Sequence, residues 1–286
     1  MLSALVELAR PKHWIKNVFV LMPVPFALAD GAKLELGLFL LGLAAFCLGN
    51  SAVYALNDAL DVERDRLHET KRLRPIASGR VGIPTALVFS AVLLVCAFAL
   101  MSLTGHDGAM IILGLYAVLN LVYSGWGKHV ALVDVFLLSS GFVLRVLLGC
   151  ALLGVWASSW LLLCSSTLAL FLALAKRRAD LAKGIGDEHR SSLSGYNLPY
   201  LDQAMGITAA MTLMAYALYC IEAPVLIEGR EFATLPFVVF GVLDYLRACL
   251  VKGVGDSPED LVLSSPSILI CGVGWIAATM WSVRIL

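Results

Sequence analysis

The chain has 286 residues, of which 60% are hydrophobic, and a mean hydropathy of +0.86, too apolar for an ordinary soluble domain. Its 21 basic and 21 acidic side chains cancel, so no basic excess points to nucleic acid. The chain lacks a GxGxxG opening a helix, a Walker A loop and a Gly-x-Ser-x-Gly elbow, which excludes the usual nucleotide-binding and serine-hydrolase signatures.

In chain order, the stretch Leu2–Leu8 is too short to span a bilayer. With Trp14 and the bases Arg10, Lys12 and Lys16 it reads as an interfacial amphipathic helix rather than a cleaved signal. Those three bases either fix topology against anionic headgroups or receive a lipid phosphate. About nine apolar spans follow, at roughly 17–31, 36–57, 82–104, 108–124, 131–153, 157–176, 204–222, 232–250 and 267–285. The first is short and carries Pro23 and Pro25. Nothing remains for a soluble domain, so residues 1–286 form one polytopic all-α membrane domain. With nine spans, most lysines and arginines fall on one side, and the other side holds only Lys33, Arg230 and Arg284. The positive-inside rule then places the N-terminus in the cytoplasm and the C-terminus outside. That is the topology of a multi-pass protein of the inner (plasma) membrane.

The second span ends in the richest motif. Asn57-Asp58 is followed by Asp61 and Asp65, at i, i+3 and i+7, which on a continuous helix shares one face. The residues among them do not fully neutralise that row, so it calls for a cation. Hard carboxylate oxygens suit Mg²⁺, which takes one or two carboxylates plus substrate phosphates. Lys71, Arg72 and Arg74 follow and can grip the far ends of such phosphates. Within the spans, Asn50, Tyr54, Asn120 and Tyr123 either line a cavity or link helices by hydrogen bonds. Arg145 lies near the middle of the fifth span, where charge is costly. It should face the bundle interior and meet an acid or a phosphate. The sixth span ends in Lys176-Arg177-Arg178-Ala179-Asp180. Lys176 and Asp180 are one turn apart. If the second and sixth spans are neighbours, Asp180 can complete the metal site opposite Asp58 and Asp61, and Lys176 can contact phosphate. The bland alternative is a charged membrane flank. Asp187, Glu188 and Arg190 follow in the same loop. Function therefore concentrates on two cytoplasmic loops, about 58–81 and 176–203. All seven cysteines lie in or at the ends of spans without a CxxC pair, so packing is their expected role, with no disulfide or zinc site.

Asn57-Asp58-x-x-Asp61-x-x-x-Asp65 at the end of the second of nine spans resembles the first aspartate-rich motif of the UbiA superfamily of membrane prenyltransferases. The likeness is strongest to the branch that uses phosphoribosyl diphosphate. Arg10-Pro11-Lys12-His13-Trp14-Ile15-Lys16-Asn17-Val18, Ser51-Ala52-Val53-Tyr54, and Thr70-Lys71-Arg72-x-Arg74-Pro75-Ile76-Ala77 carry it. So do Lys128-His129, Arg145, Lys176-Arg177, Ser192-Leu193 with Tyr196, and Pro258-Glu259-Asp260. Lys176 stands where the general superfamily has a second-motif acid, leaving Asp180 as the principal acid there.

The resemblance implies a UbiA-like helical bundle and Mg²⁺-dependent transfer of 5-phosphoribosyl from its diphosphate to a polyprenyl (decaprenyl) phosphate. Asp58, Asp61, Asp65 and Asp180 would be the catalytic metal ligands. Tyr54, Asn57, Lys71, Arg72, Arg74, Lys128, Arg145, Lys176 and Arg177 would hold the donor phosphates. Arg10, Lys12 and Lys16 would hold the lipid phosphate. Expected partners are phosphoribosyl diphosphate, polyprenyl phosphate and membrane lipid, and not nucleic acid; a homo-oligomer is compatible with the sequence, which does not fix the oligomeric state. Two alternatives stand beside this: transfer of an isoprenyl group to an aromatic or lipid acceptor, and a lipid-phosphate transporter without chemistry.

Overall fold

The computed structural model describes residues 1–67, 69–184, 191–253, 261 and 264–283. Asp187, Glu188, Arg190, Pro258-Glu259-Asp260 and Arg284 lie outside the described residues.

The described chain is helical, with an isolated antiparallel bridge between Leu226 and Val283. A short helix α1 (Leu2–Ala9) leads into a 3₁₀ stretch (Pro11–Leu21) and a second short helix α2 (Val24–Ala29). The long α3 (Leu36–Leu60) is followed by a one-and-a-half-turn α4 (Val62–Leu67). Then come α5 (Ile83–Ser102), α6 (Asp107–Gly125), α7 (Val133–Leu152), α8 (Ser159–Ala182), α9 (Leu198–Glu222), α10 (Leu235–Lys252) and α11 (Pro266–Ser282). Six of these, α3 and α5 to α9, are long and apolar enough to cross a membrane.

Two helices begin at side-chain caps. Ser158 accepts from the Leu161 amide at 3.1 Å to start α8, and Asn197 accepts from the Tyr200 amide at 2.8 Å to start α9. Proline stands in the first turn of α5, α9, α10 and α11, where its missing N–H costs nothing.

One expectation changes. The first span is not a regular helix, because Pro23 and Pro25 break it. The 3₁₀ stretch instead lies along α7, with the Asn17 side chain at Arg145 and the Val20 carbonyl at Gly149. A Cβ at Gly149 would stand 2.1 Å from that oxygen, so only glycine lets the two backbones approach this closely. Helix α1, expected at the membrane interface, lays Ala4 and Leu8 on Ala55, Ala59 and Val62. Leu2 and Val6 of the same helix stay exposed.

Two apolar cores result. One joins α3, α5, α6 and the C-terminal part of α7 through Phe39, Phe46, Met101, Leu113 and Leu148. The other joins α8, α9 and α10 to Val135 of α7 through Phe171, Met205 and Tyr245. Helix α7 is the shared wall. The segments after α3, α6 and α8 meet at one end of the bundle, where Lys128 reaches Asp61 and His129 meets both Arg64 and Ser191.

Candidate active site

Helix α3 ends at Leu60, and Asp61 caps it at φ −96°, ψ 7°. Asp65 therefore rides on α4, and the three aspartates do not share one helical face. Asp58 and Asp65 share Arg74, while Asp61 turns to Lys128. Arg10 Nη2 donates to both oxygens of Asp58 at 2.6 and 2.7 Å. Arg74 Nη1 donates to Asp58 at 3.1 Å and to Asp65 at 2.6 Å. Lys128 Nζ donates to both oxygens of Asp61 at 2.6 and 2.8 Å. Asp58 and Asp65 are buried.

The acidic row is thus already countered by bases from three other segments, contrary to the expectation that it lacks them. Nearby residues alone could not reveal this, because Arg10 and Lys128 are distant in sequence. Burial explains the arrangement: a carboxylate removed from water persists only with charged hydrogen bonds.

The N-terminal bases divide. Arg10 joins the aspartates and lies over the Tyr54 ring, 5.4 Å from its centroid. Its backbone adopts a left-handed φ of 51° where α1 stops, which turns the chain back toward α3. Trp14 Nε1 donates to Ser51 at 3.0 Å and Ser51 donates to the Ala9 carbonyl at 2.7 Å, fixing that return. His13 packs against Tyr54. Lys12 is exposed and Lys16 half-buried. Asn57 accepts from the Ser124 hydroxyl of α6. Lys71 is half-buried and Arg72 exposed beside Arg74.

Two expected phosphate ligands are spent inside the protein. Arg145 is 4% exposed. Its nitrogens donate to Asn17 at 2.9 Å, the Gly141 carbonyl at 2.7 Å, Asn50 at 2.8 Å and Tyr116 at 3.3 Å. Neutral acceptors and the faces of Phe46, Tyr116 and Phe142 take the place of the anion that its charge led us to expect. Arg177 is fully buried. Its Nη1 donates to Asp180 at 2.5 Å and its Nε lies 2.9 Å from Asp134, an ion pair without hydrogen-bond alignment. Lys176 and Asp180, at the end of α8, are half-buried.

Asp134 was missed in the sequence, as was Ser124. Asp134 is an acid at the mouth of an apolar span, six residues after Lys128, and that placement was the available signal.

Among the described residues, no group of three or more acids, histidines or cysteines stands close enough to hold a metal. Asp58, Asp61, Asp65 and Asp180 therefore do not form one cluster here. Asp58 and Asp65 do fit a cation between them, because one positively charged nitrogen, Arg74 Nη1, contacts both. Two hard carboxylates are the usual protein share of a Mg²⁺ site completed by substrate phosphates.

Comparisons place this geometry among known proteins. Residues 17–254 match the model of the UbiA prenyltransferase family. A decaprenyl-phosphate phosphoribosyltransferase from Corynebacterium glutamicum is 33% identical, covering 99% of this chain and 88% of its own. One from Mycobacterium tuberculosis is 32% identical, covering 97% and 93%. A solved UbiA homologue from Archaeoglobus fulgidus, bound to GPP and Mg²⁺, superposes with a TM-score of 0.76 at 17% identity, covering 97% of this chain and 98% of its own. This chain is a transferase and belongs to the UbiA prenyltransferase family.

Proposed function

We propose that this protein transfers the 5-phosphoribosyl group of phosphoribosyl diphosphate to a polyprenyl phosphate, in a Mg²⁺-dependent reaction that releases diphosphate. The observation that carries this reading is the near full-length likeness to enzymes named for phosphoribosyl transfer to decaprenyl phosphate. The basic residues around the aspartates support it. Arg10, Arg74 and Lys128 touch the acids directly, and Lys71 and Arg72 adjoin Arg74. This suits a donor with three phosphates to hold, one more than an isoprenyl diphosphate.

Asp58 and Asp65 would hold Mg²⁺, which when bound neutralises charge developing on the leaving diphosphate. Lys71, Arg72 and Arg74 take the donor phosphates as charge-assisted hydrogen-bond donors. Lys128, with Asp61 as its counter-ion, does the same. The acceptor phosphate is anionic at neutral pH and attacks C1 of the ribose with inversion, so no strong general base is needed. Lys12 and Lys16, on the segment entering the bundle, receive the lipid headgroup. Asp180 and Lys176 border the same end on α8. Positive charge concentrates there, so the site faces the cytoplasm from the inner membrane.

Membranes containing the protein, given labelled phosphoribosyl diphosphate or labelled isoprenyl diphosphate, separate the readings. Ribose label in lipid is expected. Isoprenyl label alone would favour prenyl transfer, the reading suggested by the fold neighbour bound to GPP and Mg²⁺.

A further inference from the structure

Asp134 stands at the start of α7 and is fully buried. It accepts the Tyr196 hydroxyl at 2.7 Å and the Ser192 hydroxyl at 2.9 Å, and faces Arg177 at 2.9 Å. Tyr196 and Ser192 are both nearly closed to solvent. The Tyr196 oxygen also accepts the Leu132 amide at 2.6 Å. Leu132 has φ 66°, ψ −47°, a backbone state that costs a branched side chain free energy and persists only when neighbours hold it. Two more ties join the same pieces. His129 Nδ1 lies 2.9 Å from the Ser191 hydroxyl. Gly195 packs so closely that a Cβ there would stand 2.4 Å from the Ala131 methyl. Burial, and then the hydrogen bond to Asp134, push the Tyr196 hydroxyl well up from its ordinary value, so it stays a donor throughout the physiological range.

The turn held in this way is the one that carries Lys128 to Asp61. The same carboxylate braces Arg177, which in turn holds Asp180. We infer that Asp134 and Tyr196 are positioning residues: they latch residues 191–196 onto the 126–132 turn and so aim Lys128 at the donor side of the site. Both are buried against protein and act through Lys128. The role rests on the proposed phosphoribosyl transfer for its kinetic consequence, but not for its structural one.

Asp134→Asn risks unfolding, because it removes one of the two carboxylates that face the buried Arg177 guanidinium. Tyr196→Phe is the cleaner probe, since it keeps the ring and removes only the oxygen. Hydrogen exchange needs no substrate and reads the latch itself. Peptides covering residues 126–134 should exchange about tenfold faster in Tyr196→Phe, with the bundle unchanged. In transfer assays, Tyr196→Phe should raise the KM for phosphoribosyl diphosphate by up to about tenfold and leave the acceptor KM alone. It should add nothing in a Lys128→Met background, because both act on one contact. Adding Leu132→Gly to Tyr196→Phe should restore much of the loss, since glycine takes positive φ without a latch. Unchanged exchange at 126–134, or fully additive losses with Lys128→Met, would overturn the inference. Wild-type protein without phosphoribosyl transfer would instead defeat the functional reading, with the exchange result still deciding the latch.

Discussion

Arg74 Nη1 lies 2.6 Å from Asp65 and 3.1 Å from Asp58, so one guanidinium nitrogen sits between the two carboxylates best placed to share a cation. Arginine and metal therefore compete for the same oxygens. Arg74→Ala should lower the Mg²⁺ concentration needed for half-maximal activity while raising the KM for phosphoribosyl diphosphate. A lost charged hydrogen bond is worth about 1.5–3 kcal/mol, which sets the scale of the KM change. Titrating Mg²⁺ at saturating donor checks the first effect; a higher metal requirement would argue against competition.

Asp58→Ala and Asp65→Ala should each remove most activity. Arg10→Met should be milder in stability, because Asp58 keeps Arg74 when Arg10 is lost. The expected cost of Arg10→Met is about 1–3 kcal/mol, read by thermal unfolding in detergent beside the transfer assay. Near-normal turnover in Asp58→Ala would remove α3 from the site.

Arg145 is a structural cation here. Arg145→Ala would leave the Asn17 and Asn50 side-chain oxygens without their donor, at about 1–3 kcal/mol for each buried group left unsatisfied. Detergent stability should fall sharply. The KM for either substrate in the surviving protein should move little. A large donor KM change with unaltered stability would return Arg145 to the phosphate-binding set.

Gly149→Ala tests the irregular first segment. The new methyl would meet the Val20 carbonyl, and overpacking of this kind costs about 1–3 kcal/mol. Reduced thermal stability is expected. Wild-type stability would show that the 3₁₀ stretch does not pack on α7 as described.

What could be read in the sequence follows from local chemistry. Of the nine spans read from the sequence, six correspond to helices long and apolar enough to cross a membrane; these, the aspartate motif and the basic loop beside it declare themselves through runs of apolar residues and short spacings. The broken first segment was signalled by Pro23 and Pro25, but the side on which it packs depends on Gly149, far along the chain. Partner choice was less legible still. Asp58 with Arg10 and Asp61 with Lys128 are tertiary pairings, and the helix stop at Leu60 undid the one-face argument. Arg145 looked like a phosphate ligand because a charge in a span demands a partner, and Arg177 because the family resemblance implied it. Packing supplied those partners from within the protein. Asp134 carried a signal, an acid opening an apolar helix, but its significance required Tyr196 to arrive from the loop after α8.

The most direct measurement uses purified protein in vesicles that contain polyprenyl phosphate and Mg²⁺. The donor is phosphoribosyl diphosphate, labelled with tritium in the ribose and with ³²P in the terminal phosphate. Tritium should enter the lipid while ³²P leaves, mole for mole, as free diphosphate. Both labels should stay in the donor for Asp58→Ala. Release of diphosphate without tritiated lipid, or no reaction with this donor while an isoprenyl diphosphate is consumed, would contradict phosphoribosyl transfer.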